Sequence, residues 1–272
     1  MAKKITRIVL TGGPAAGKTT LISRILKEFK QENGWRVITI PETATELISG
    51  FGLGPFEGCM SMDEFQYFVV GDQLHKEELA LKGADVVPQE KIMIVYDRAV
   101  FDDLAYMSRE KFDEILSAFN TTEEKVLNGY DAVLHLVSCA NGAEFAYNFG
   151  NVARYETLEV ARQRDDDTLA AWSQHKNHYV IDNSIDFEEK INKAISVIYD
   201  ILGEKSPGAR GEVTQTYLAK TIPNVERKVR RQKSGNGYLY FYAEKRTDEH
   251  GRKWVTEKPI SEKEYDAYLR EA

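Results

Sequence analysis

The sequence predicts an α/β fold, a parallel β-sheet flanked by helices, followed by a smaller antiparallel β unit. Over residues 1–203, short apolar runs alternate with longer helical patterns, a spacing typical of parallel strands joined by helices. A glycine-rich loop separates the first apolar run from the first helix. After residue 211, apolar or aromatic residues alternate with polar ones, as in antiparallel strands.

Five apolar runs are the predicted strands of the parallel sheet. In chain order they are ITRIVLTGG, RVITIPE, KIMIVYDR, YDAVLHLVS and HYVIDN. Ligands of such sheets bind beyond the carboxyl ends of the strands. The candidate site residues are therefore those that follow the strands: the glycine-rich loop, Glu42, Asp97, Arg98, Asp182 and Asn183.

Helical spacing fills the segments between these strands. TTLISRILKEFKQENG places Leu21 and Ile25 on one face, and MDEFQYFVVGDQLHKEELALKG predicts a long helix capped by Ser61 or Asp63. The segment after KIMIVYDR is predicted to be mostly helical to about Asn128, and EEKINKAISVIYDILG closes the region as a helix.

A change in charge predicts a domain boundary. The net charge is −7, yet residues 205–272 carry 15 basic and 10 acidic residues, against 21 basic and 33 acidic in the remainder. The stretch GEKSPGARG, residues 203–211, has the composition of a linker. We therefore expect one domain over residues 1–203 and a basic β unit over residues 211–272.

The C-terminal unit reads as four short strands and one helix. Its predicted strands are EVTQTYLA, ERKVRRQ, GYLYFYAEKR and KWVTEK, with Asn236-Gly237 as a hairpin turn. In the last segment, SEKEYDAYLREA, Ser261 and Glu264 match a capping box.

The glycine-rich loop GGPAAGKT matches G-x-x-x-x-G-K-[ST], with Gly12, Gly17, Lys18 and Thr19 at the defining positions. It follows a predicted strand and opens a predicted helix, which is the context this motif requires. Backbone N–H groups of such a loop hold phosphates, the lysine reaches the β- and γ-phosphates, and the hydroxyl ligates Mg2+. We therefore expect ATP or GTP with Mg2+ here. The predicted nucleotide-binding residues of the loop are Gly12, Gly13, Pro14, Ala15, Ala16, Gly17, Lys18, Thr19 and Thr20.

Three charged residues at the ends of the second and third strands are candidate catalytic residues. Glu42 is placed to orient Mg2+ waters or to take a proton from an acceptor hydroxyl, or else it is an acid favoured by a helix N-terminus. Asp97, with Thr19, is the predicted Mg2+ ligand. Arg98 would hold a substrate phosphate or carboxylate, unless Asp97 and Arg98 only form a buried pair that supports the loop. Helix capping is the expected role of Asp102 and Asp103, which follow them.

The polar segment NVARYETLEVARQRDDDTLAAW carries Arg154, Arg162 and Arg164. An arginine-bearing lid that closes over phosphates is one interpretation, with Arg162 as the candidate catalytic arginine, and a solvated charged helix is the other. After the last strand, Asp182 and Asn183 either line the base pocket or cap the next helix.

Neither the cysteines nor the histidines suggest a metal site. Cys59 and Cys139 have no metal-like spacing, and His175 and His178 have no evident third ligand. We expect both histidines to be exposed to solvent.

The C-terminal unit carries a cluster of basic residues: Arg227, Lys228, Arg230, Arg231, Lys233, Lys245 and Arg246. Alternation places Arg227 and Arg231 on one face of a strand, with Tyr238, Tyr240 and Tyr242 sharing a face of the next. Such a surface suits an anionic partner: a phosphate-rich small molecule, an acidic lipid headgroup or RNA. A solvated sheet face is the alternative.

The N-terminal 200 residues resemble the AAA_28-type P-loop ATPase/kinase family, related to nicotinamide riboside kinases and other nucleoside kinases. The matching pieces are TGGPAAGKTT, IPETATELI, YDRAVFDDLAYM, RYETLEVARQRDDDTLAAW and VIDNS. The resemblance implies Lys18 and Thr19 at phosphate and Mg2+, Glu42 and Asp97 as active-site acids, and lid arginines near Arg162.

The C-terminal stretch is similar to part of a CYTH (triphosphate-tunnel) domain, through VTQTYL, ERKVRRQ and YLYFYAEKR. The two parts together look like the family of the TRPL translocation defect protein 14, which implies GTP and phosphatidic-acid binding. Only about 60 residues are present where a CYTH tunnel needs about eight strands, which raises the hypothesis that two half-barrels pair in a homodimer.

Two functions follow from these observations as hypotheses. One is a Mg2+-dependent enzyme that hydrolyses a nucleoside triphosphate or transfers its γ-phosphoryl group to a small hydroxyl acceptor. The other is a nucleotide-dependent binding module whose basic unit holds the anionic partner.

An N-K-x-D guanine motif is missing, which argues against a Ras-like switch but leaves ATP and GTP open. No apolar run reaches ~18 residues and the N-terminus lacks a signal-peptide core, so we expect a cytoplasmic location.

Overall fold

The computed structural model describes residues 3–144, 157–184, 186–204, 213–219, 222–234, 237–247 and 253–270. The chain divides into two compact units, Met1–Gly203 and Glu204–Ala272.

The first unit is built on a five-stranded parallel sheet in the order β2-β3-β1-β4-β5. Its strands are β1 (Lys4–Thr11), β2 (Trp35–Ile40), β3 (Lys91–Asp97), β4 (Ala132–Leu136) and β5 (His178–Ile181). The predicted parallel sheet flanked by helices is confirmed, because all five apolar runs became strands of this one sheet.

Seven α-helices of the described residues lie between these strands or follow the last of them. They are α1 (Lys18–Glu28), α2 (Thr43–Glu46), α3 (Met62–Val86), α4 (Arg109–Ala118), α5 (Glu123–Leu127), α6 (Leu158–Ala171) and α7 (Phe187–Leu202). Short 3-10 turns cover Gln31–Asn33 and Val100–Ala105, and a π-helical turn, Leu47–Phe51, extends α2. The predicted cap of α3 is confirmed, since Ser61 and Glu64 form a reciprocal capping box.

The core lies on both faces of the sheet. Central-strand residues such as Ile8, Val9 and Leu10 are fully buried. One face packs against α1 and α7, through side chains such as Leu21, Ile25, Ile191 and Ile198. The other face packs against α3 and α4, through side chains such as Val70, Ala84, Phe112 and Ile115. This burial on both faces explains why the strands read as nearly continuous apolar runs.

The register of the sheet brings three strand ends to one edge. Leu10 of β1 pairs with Asp97 of β3, and Thr11 pairs with His135 of β4. The chain therefore leaves β1, β3 and β4 at similar heights, and the loops that follow are neighbours at the carboxyl edge.

The second unit is a four-stranded antiparallel sheet in the order β6-β7-β8-β9, with one helix. Its elements are β6 (Val213–Tyr217), β7 (Val225–Ser234), β8 (Gly237–Thr247), β9 (Lys253–Ile260) and α8 (Glu262–Leu269). Tyr265 and Tyr268 of α8 pack with Val229, Tyr240 and Tyr242 on one face of the sheet.

The predicted Ser261–Glu264 capping box is present at the start of α8. Within the described ranges, every helix is too short or too polar to cross a lipid bilayer.

Candidate functional site: a phosphate-binding loop at the carboxyl edge of the sheet

The loop between β1 and α1 is tightly folded rather than extended. Gly12 and Gly17 adopt positive φ angles of 121° and 101°, and Ala15 is also in the left-handed region at 57°. A Cβ on Gly12 would lie 2.0 Å from the carbonyl oxygen of Leu136 in β4. This position needs glycine both for its dihedral angle and for the close approach of the neighbouring strand.

Lys18 is the first residue of α1, and its side chain curls over the loop. Its Nζ donates hydrogen bonds to the carbonyl oxygens of Gly12 and Gly13, at 3.0 and 3.2 Å. Burial, with the nearby positive charge of Arg98, lowers the pKa of Lys18 to about 8. The ammonium group is therefore held at the mouth of the loop, where a phosphate would be received.

Thr19 and Thr20 follow on the first turn of α1, and both are exposed. Their position at a helix N-terminus places them where the helix dipole favours an anion.

Glu42 and Arg98 form an ion pair at the ends of β2 and β3. Arg98 Nε donates to Glu42 Oε1 at 2.7 Å, and Arg98 Nη1 lies 3.8 Å from Asp102 Oδ1. Burial alone would raise the pKa of Glu42, but the charges of Arg98 and Lys18 lower it to about 2. Arg98 holds this position in a left-handed conformation, with φ 69°, which is uncommon for a side chain of its size.

Asp97, the last residue of β3, differs from Glu42 in its environment. Its Oδ1 is buried and has no hydrogen-bond partner among the described residues. Burial raises the pKa of Asp97, although the positive charge of Lys18 opposes the shift. Asp97 therefore offers a carboxylate oxygen that the protein itself does not use.

The side-chain oxygens of Asp97 and Thr19 fit Mg2+ rather than a metal held by protein side chains alone. Mg2+ prefers oxygen ligands, keeps several waters and usually binds through one or two carboxylates and substrate phosphates. Asp97 supplies an unused carboxylate oxygen and Thr19 an exposed hydroxyl. Across the parts of the chain that the structure describes, no three His, Cys, Asp or Glu side chains converge on a common point.

Asp102 is a capping residue, as predicted. Its Oδ2 accepts a hydrogen bond from the Ala99 amide at 2.9 Å, and its Oδ1 accepts one from the Thr11 hydroxyl. This side chain ties the end of β1 to the turn after β3.

Asp165, in the middle of α6, is a site residue that sequence reasoning missed. Its Oδ1 accepts the Gly13 amide at 2.7 Å and lies 3.1 Å from His135 Nε2, and its Oδ2 accepts the Ser138 amide at 3.0 Å. Burial would raise its pKa, but these hydrogen bonds lower the pKa of Asp165 below its usual value. The carboxylate therefore clamps the glycine-rich loop to α6 and to the end of β4. The Gly13 amide is used for this clamp and does not point to a phosphate.

A helical spacing could have revealed Asp165. It lies four residues after Ala161, three before Thr168 and seven before Trp172, and all four residues are buried. Its neighbour Asp166 is exposed. Only the face of the helix separates these two aspartates.

The predicted lid arginines bond to the body of the protein. Arg162 Nε donates to Ala140 O at 2.6 Å and its Nη2 to Glu144 Oε1 at 2.9 Å. Arg164 donates to the Ala105 carbonyl, and its guanidinium lies 4.4 Å from the centre of the Tyr106 ring. Arg154 lies outside the described residues.

Asn183 organises the loops after β4 and β5. Its Nδ2 donates to the carbonyl oxygens of Ser138 and Asn141, and its Oδ1 accepts from Lys190 Nζ at 2.8 Å. Asp182 instead accepts a hydrogen bond from the hydroxyl of Ser184 at 2.6 Å.

The alternative that Asp182 or Asn183 caps the next helix is wrong, because Asp186 is the N-cap of α7. The expectation of exposed histidines is also wrong, partly for the half-buried His178 and fully for His175. That side chain is buried and its Nε2 donates to Tyr130 O at 3.0 Å.

Two arginines of the predicted basic surface in the second unit lie against aromatic rings of the same sheet. Arg230 is only 7% exposed, with its guanidinium 4.3 Å from the centre of the Phe241 ring. Arg231 lies 5.1 Å from the centre of the Tyr238 ring. The side chains of Lys233, Lys245 and Arg246 lie outside the described residues.

The fold and the loop together define a P-loop nucleotide-binding protein: a parallel sheet whose first strand leads through a glycine-rich loop into a helix that begins with Lys18 and Thr19. The family model of an AAA domain, AAA_28, matches residues 7–190, which is more than half of the 272-residue chain. The chain therefore belongs to the AAA_28 family, whose P-loop indicates nucleotide binding with hydrolysis or phosphoryl transfer. No curated protein gives a significant match to the chain.

Proposed function

We propose that residues 1–203 form a Mg2+-dependent phosphotransferase that moves the γ-phosphoryl group of ATP or GTP to a small hydroxyl acceptor. The observation that supports it most is the cluster of charges at one edge of the sheet. Lys18, Glu42, Asp97 and Arg98 interact electrostatically there, at the mouth of the glycine-rich loop. The loop and one Mg2+ ligand would be enough to bind nucleotide, whereas the Glu42–Arg98 pair adds a carboxylate for an acceptor hydroxyl and a guanidinium for the transferred phosphoryl group.

In the proposed reaction, a bond forms between the acceptor oxygen and the γ-phosphorus while the bond to the β–γ bridging oxygen breaks. The nucleoside diphosphate leaves, and the hydroxyl proton passes to a carboxylate. Glu42 is the carboxylate available for this last role, because Asp97 is the proposed Mg2+ ligand and a metal-bound carboxylate is a weak proton acceptor. The ion pair with Glu42 also holds Arg98 in place for the transferred phosphoryl group.

Mg2+ would be held by Thr19, Asp97 and the nucleotide phosphates, and it would neutralise charge on those phosphates. Arg162 is the lid arginine best placed to join them. Its neighbour Ala161 belongs to the small apolar cluster that contacts Ala15 of the loop. The ion pair between Arg162 and Glu144 joins two side chains that are 40% and 45% exposed, so it is weak and can be exchanged for another partner.

Three points stay predictions. They are the choice between ATP and GTP, the formation of a homodimer, and the resemblance of residues 211–272 to CYTH domains and to the TRPL translocation defect protein 14 family. The family match ends at residue 190, before the second unit begins. The alternative function, a binding module for an anionic lipid, polyphosphate or RNA, is less favoured because Arg230 is buried against Phe241.

The test is release or transfer of the γ-phosphate from Mg·ATP and Mg·GTP by the full chain. We expect Asp97→Asn to lower turnover at least about 100-fold and to raise the Mg2+ concentration needed for half-maximal turnover, because Asp97 is the proposed Mg2+ ligand. Asp113→Asn is the control, since Asp113 is an exposed residue of α4. Turnover that is the same in both variants would exclude the proposed role of Asp97, and turnover at background in the wild type would favour the binding module.

A further inference from the structure

Phe187 is a half-exposed aromatic residue that lies directly against the glycine-rich loop. It is the first residue of α7, and 51% of it is exposed to solvent. A Cβ on Gly17 would lie 2.8 Å from Cε2 and 3.1 Å from Cζ of its ring, so one edge of the ring contacts the backbone of the loop. The exposed part of the ring therefore lies beside the residue that precedes Lys18.

Contacts between α1 and α7 fix the position of this ring. Arg24 of α1 donates a hydrogen bond to Asn192 Oδ1 at 3.3 Å. Further along both helices, Glu28 Oε1 accepts one from the Tyr199 hydroxyl at 3.0 Å. The two helices therefore run side by side in the same direction, and the first turn of α7 is held at the level of the loop.

The charges around Lys18 lie on the other side of the loop from Phe187. Glu42, Asp97 and Arg98 interact with Lys18 and lie at the ends of β2 and β3. In the order β2-β3-β1-β4-β5, these strands are on one side of β1, and β5, which leads into α7, is on the other. In the proposed reaction the γ-phosphoryl group meets those charges. The nucleoside end of the same ligand therefore leaves the loop on the side of β4, β5 and Phe187.

The backbone carbonyl groups of the loop after β4, on this same side, are directed into the protein. Each carbonyl oxygen from Val137 to Asn141 accepts a hydrogen bond from another part of the chain. The donors are, in order, Lys190 Nζ, Asn183 Nδ2, the Ala143 amide, Arg162 Nε and Asn183 Nδ2. A site that selects adenine needs an acceptor for its amino group, and these acceptors are already in use.

The amide of Asn183, in the loop after β5, is also in use. Its Nδ2 donates to the carbonyl oxygens of Ser138 and Asn141, and its Oδ1 accepts from Lys190. Neither end of this side chain is therefore available for the edge of a base. What these two loops and α7 offer a base instead is the exposed face of the Phe187 ring.

We propose that the base of the bound nucleotide stacks on Phe187, and that stacking holds the base in place of hydrogen bonds to its edge. Adenine and guanine differ in their edge groups, but both present a flat π face to an aromatic ring. The substrate class is therefore purine nucleoside triphosphates, with ATP and GTP both accepted. This inference rests on the proposed binding of a nucleotide at the glycine-rich loop.

The test compares ligands with and without a base. It is calorimetric titration of the full chain with Mg·ADP, Mg·GDP and Mg·pyrophosphate, for the wild type, Phe187→Leu and Phe187→Tyr. Leucine keeps an apolar side chain against Gly17 but has no aromatic face, whereas tyrosine keeps both. We expect Phe187→Leu to weaken both nucleotides at least about fivefold and to leave the affinity for pyrophosphate within about twofold. Phe187→Tyr should bind all three ligands as the wild type does.

Two comparisons complete the experiment. In the wild type, Mg·ADP and Mg·GDP should bind with affinities within about tenfold of each other. Phe51→Leu is the matched control, because Phe51 is also an exposed aromatic residue and lies on the π-helical turn after α2. It should leave all three affinities unchanged.

Three results would overturn the inference while leaving nucleotide binding intact. In Phe187→Leu, a loss of pyrophosphate affinity as large as that for ADP would show that the ring only supports the loop. Unchanged nucleotide affinity in that variant would exclude stacking. A wild-type preference of more than about 100-fold for one purine would show that the edge of the base is recognised. Failure of all three ligands to bind the wild type would overturn the proposed function together with the inference.

Discussion

Replacing the carboxylate that clamps the glycine-rich loop is the perturbation whose effect the structure defines best. Asp165→Asn keeps the shape of the side chain but turns one of its two oxygens into an NH2 group. Both oxygens now accept backbone amides, one from Gly13 and one from Ser138, at 2.7 and 3.0 Å. Whichever way the new amide is oriented, one of these buried N–H groups loses its acceptor and faces another donor.

The expected loss of stability follows from those contacts. A hydrogen bond to a charged group contributes about 1.5–3 kcal/mol, and an N–H left buried without a partner costs about 1–3 kcal/mol. Because these two estimates overlap, we expect the free energy of unfolding to fall by about 2–4 kcal/mol. For a domain of this size, that corresponds to a Tm lower by about 5–15 °C. Affinity for Mg·ADP should fall at least about tenfold, since the loop loses its anchor at Gly13.

Urea unfolding and calorimetric titration with Mg·ADP measure the two effects. Asp166→Asn is the matched control: it makes the same chemical change one residue along α6, on an exposed side chain, and should change stability by no more than about 0.5 kcal/mol. If Asp165→Asn were as stable as Asp166→Asn and bound Mg·ADP equally well, the clamp would have no energetic role and this reasoning would fail.

Three further predictions concern the same edge of the sheet. Gly12→Ala should abolish nucleotide binding in a thermal-shift assay, because its Cβ would lie 2.0 Å from Leu136 O. Gly83→Ala is the control and should bind normally, because nothing lies within 4 Å of the added Cβ. Equal binding by both variants would contradict the close approach of Leu136 to Gly12. Affinity for Mg·ADP should decline as the pH rises through about 8, because the Lys18 ammonium then loses its proton. In calorimetry, Lys18→Arg should show a flatter pH profile, because the guanidinium stays charged. A wild-type affinity that does not change with pH over this range would refute the role of the Lys18 charge. The pKa of Glu42 is about 2 when folded against 4.5 as a free side chain, so Glu42 contributes stability above pH 4.5 that disappears as the pH falls toward 2. Urea unfolding at pH 7, 4 and 3 should therefore show a smaller fall in the free energy of unfolding for Glu42→Gln than for the wild type. The same fall in both proteins would count against a stabilising ion pair between Glu42 and Arg98.

Local patterns were sufficient to predict the fold and the loop. Apolar runs buried on both faces, with helical spacing between them, indicated each parallel strand. The motif around Lys18 and the charged residues ending β3 indicated the site edge, because parallel strands end together there. In the second unit, alternation correctly placed Tyr240 and Tyr242 on one face, which α8 covers.

Contacts between distant residues were beyond such patterns. The Gly13–Asp165 bond joins positions 152 residues apart, and nothing local distinguishes Asp165 from its acidic neighbours except the face of α6 on which it lies. The sequence did not show whether Arg162 and Arg164 belong to a lid or bond to the body of the protein. Their partners are the backbone carbonyl groups of Ala140 and Ala105, and a pattern of side chains does not reveal bonds to the backbone. The burial of Arg230 against Phe241 likewise depends on packing rather than on alternation.

The central claim is that the glycine-rich loop binds a nucleoside triphosphate through Lys18. Its most direct test is calorimetric titration of the full chain, wild type and Lys18→Ala, with a non-hydrolysable ATP or GTP analogue and Mg2+ at pH 7. We predict binding of one analogue per chain to the wild type and a loss of at least about 100-fold in affinity in the variant, a change of roughly 2.7 kcal/mol. Equal affinity in the two proteins, or no heat with either analogue in the wild type, would contradict the claim.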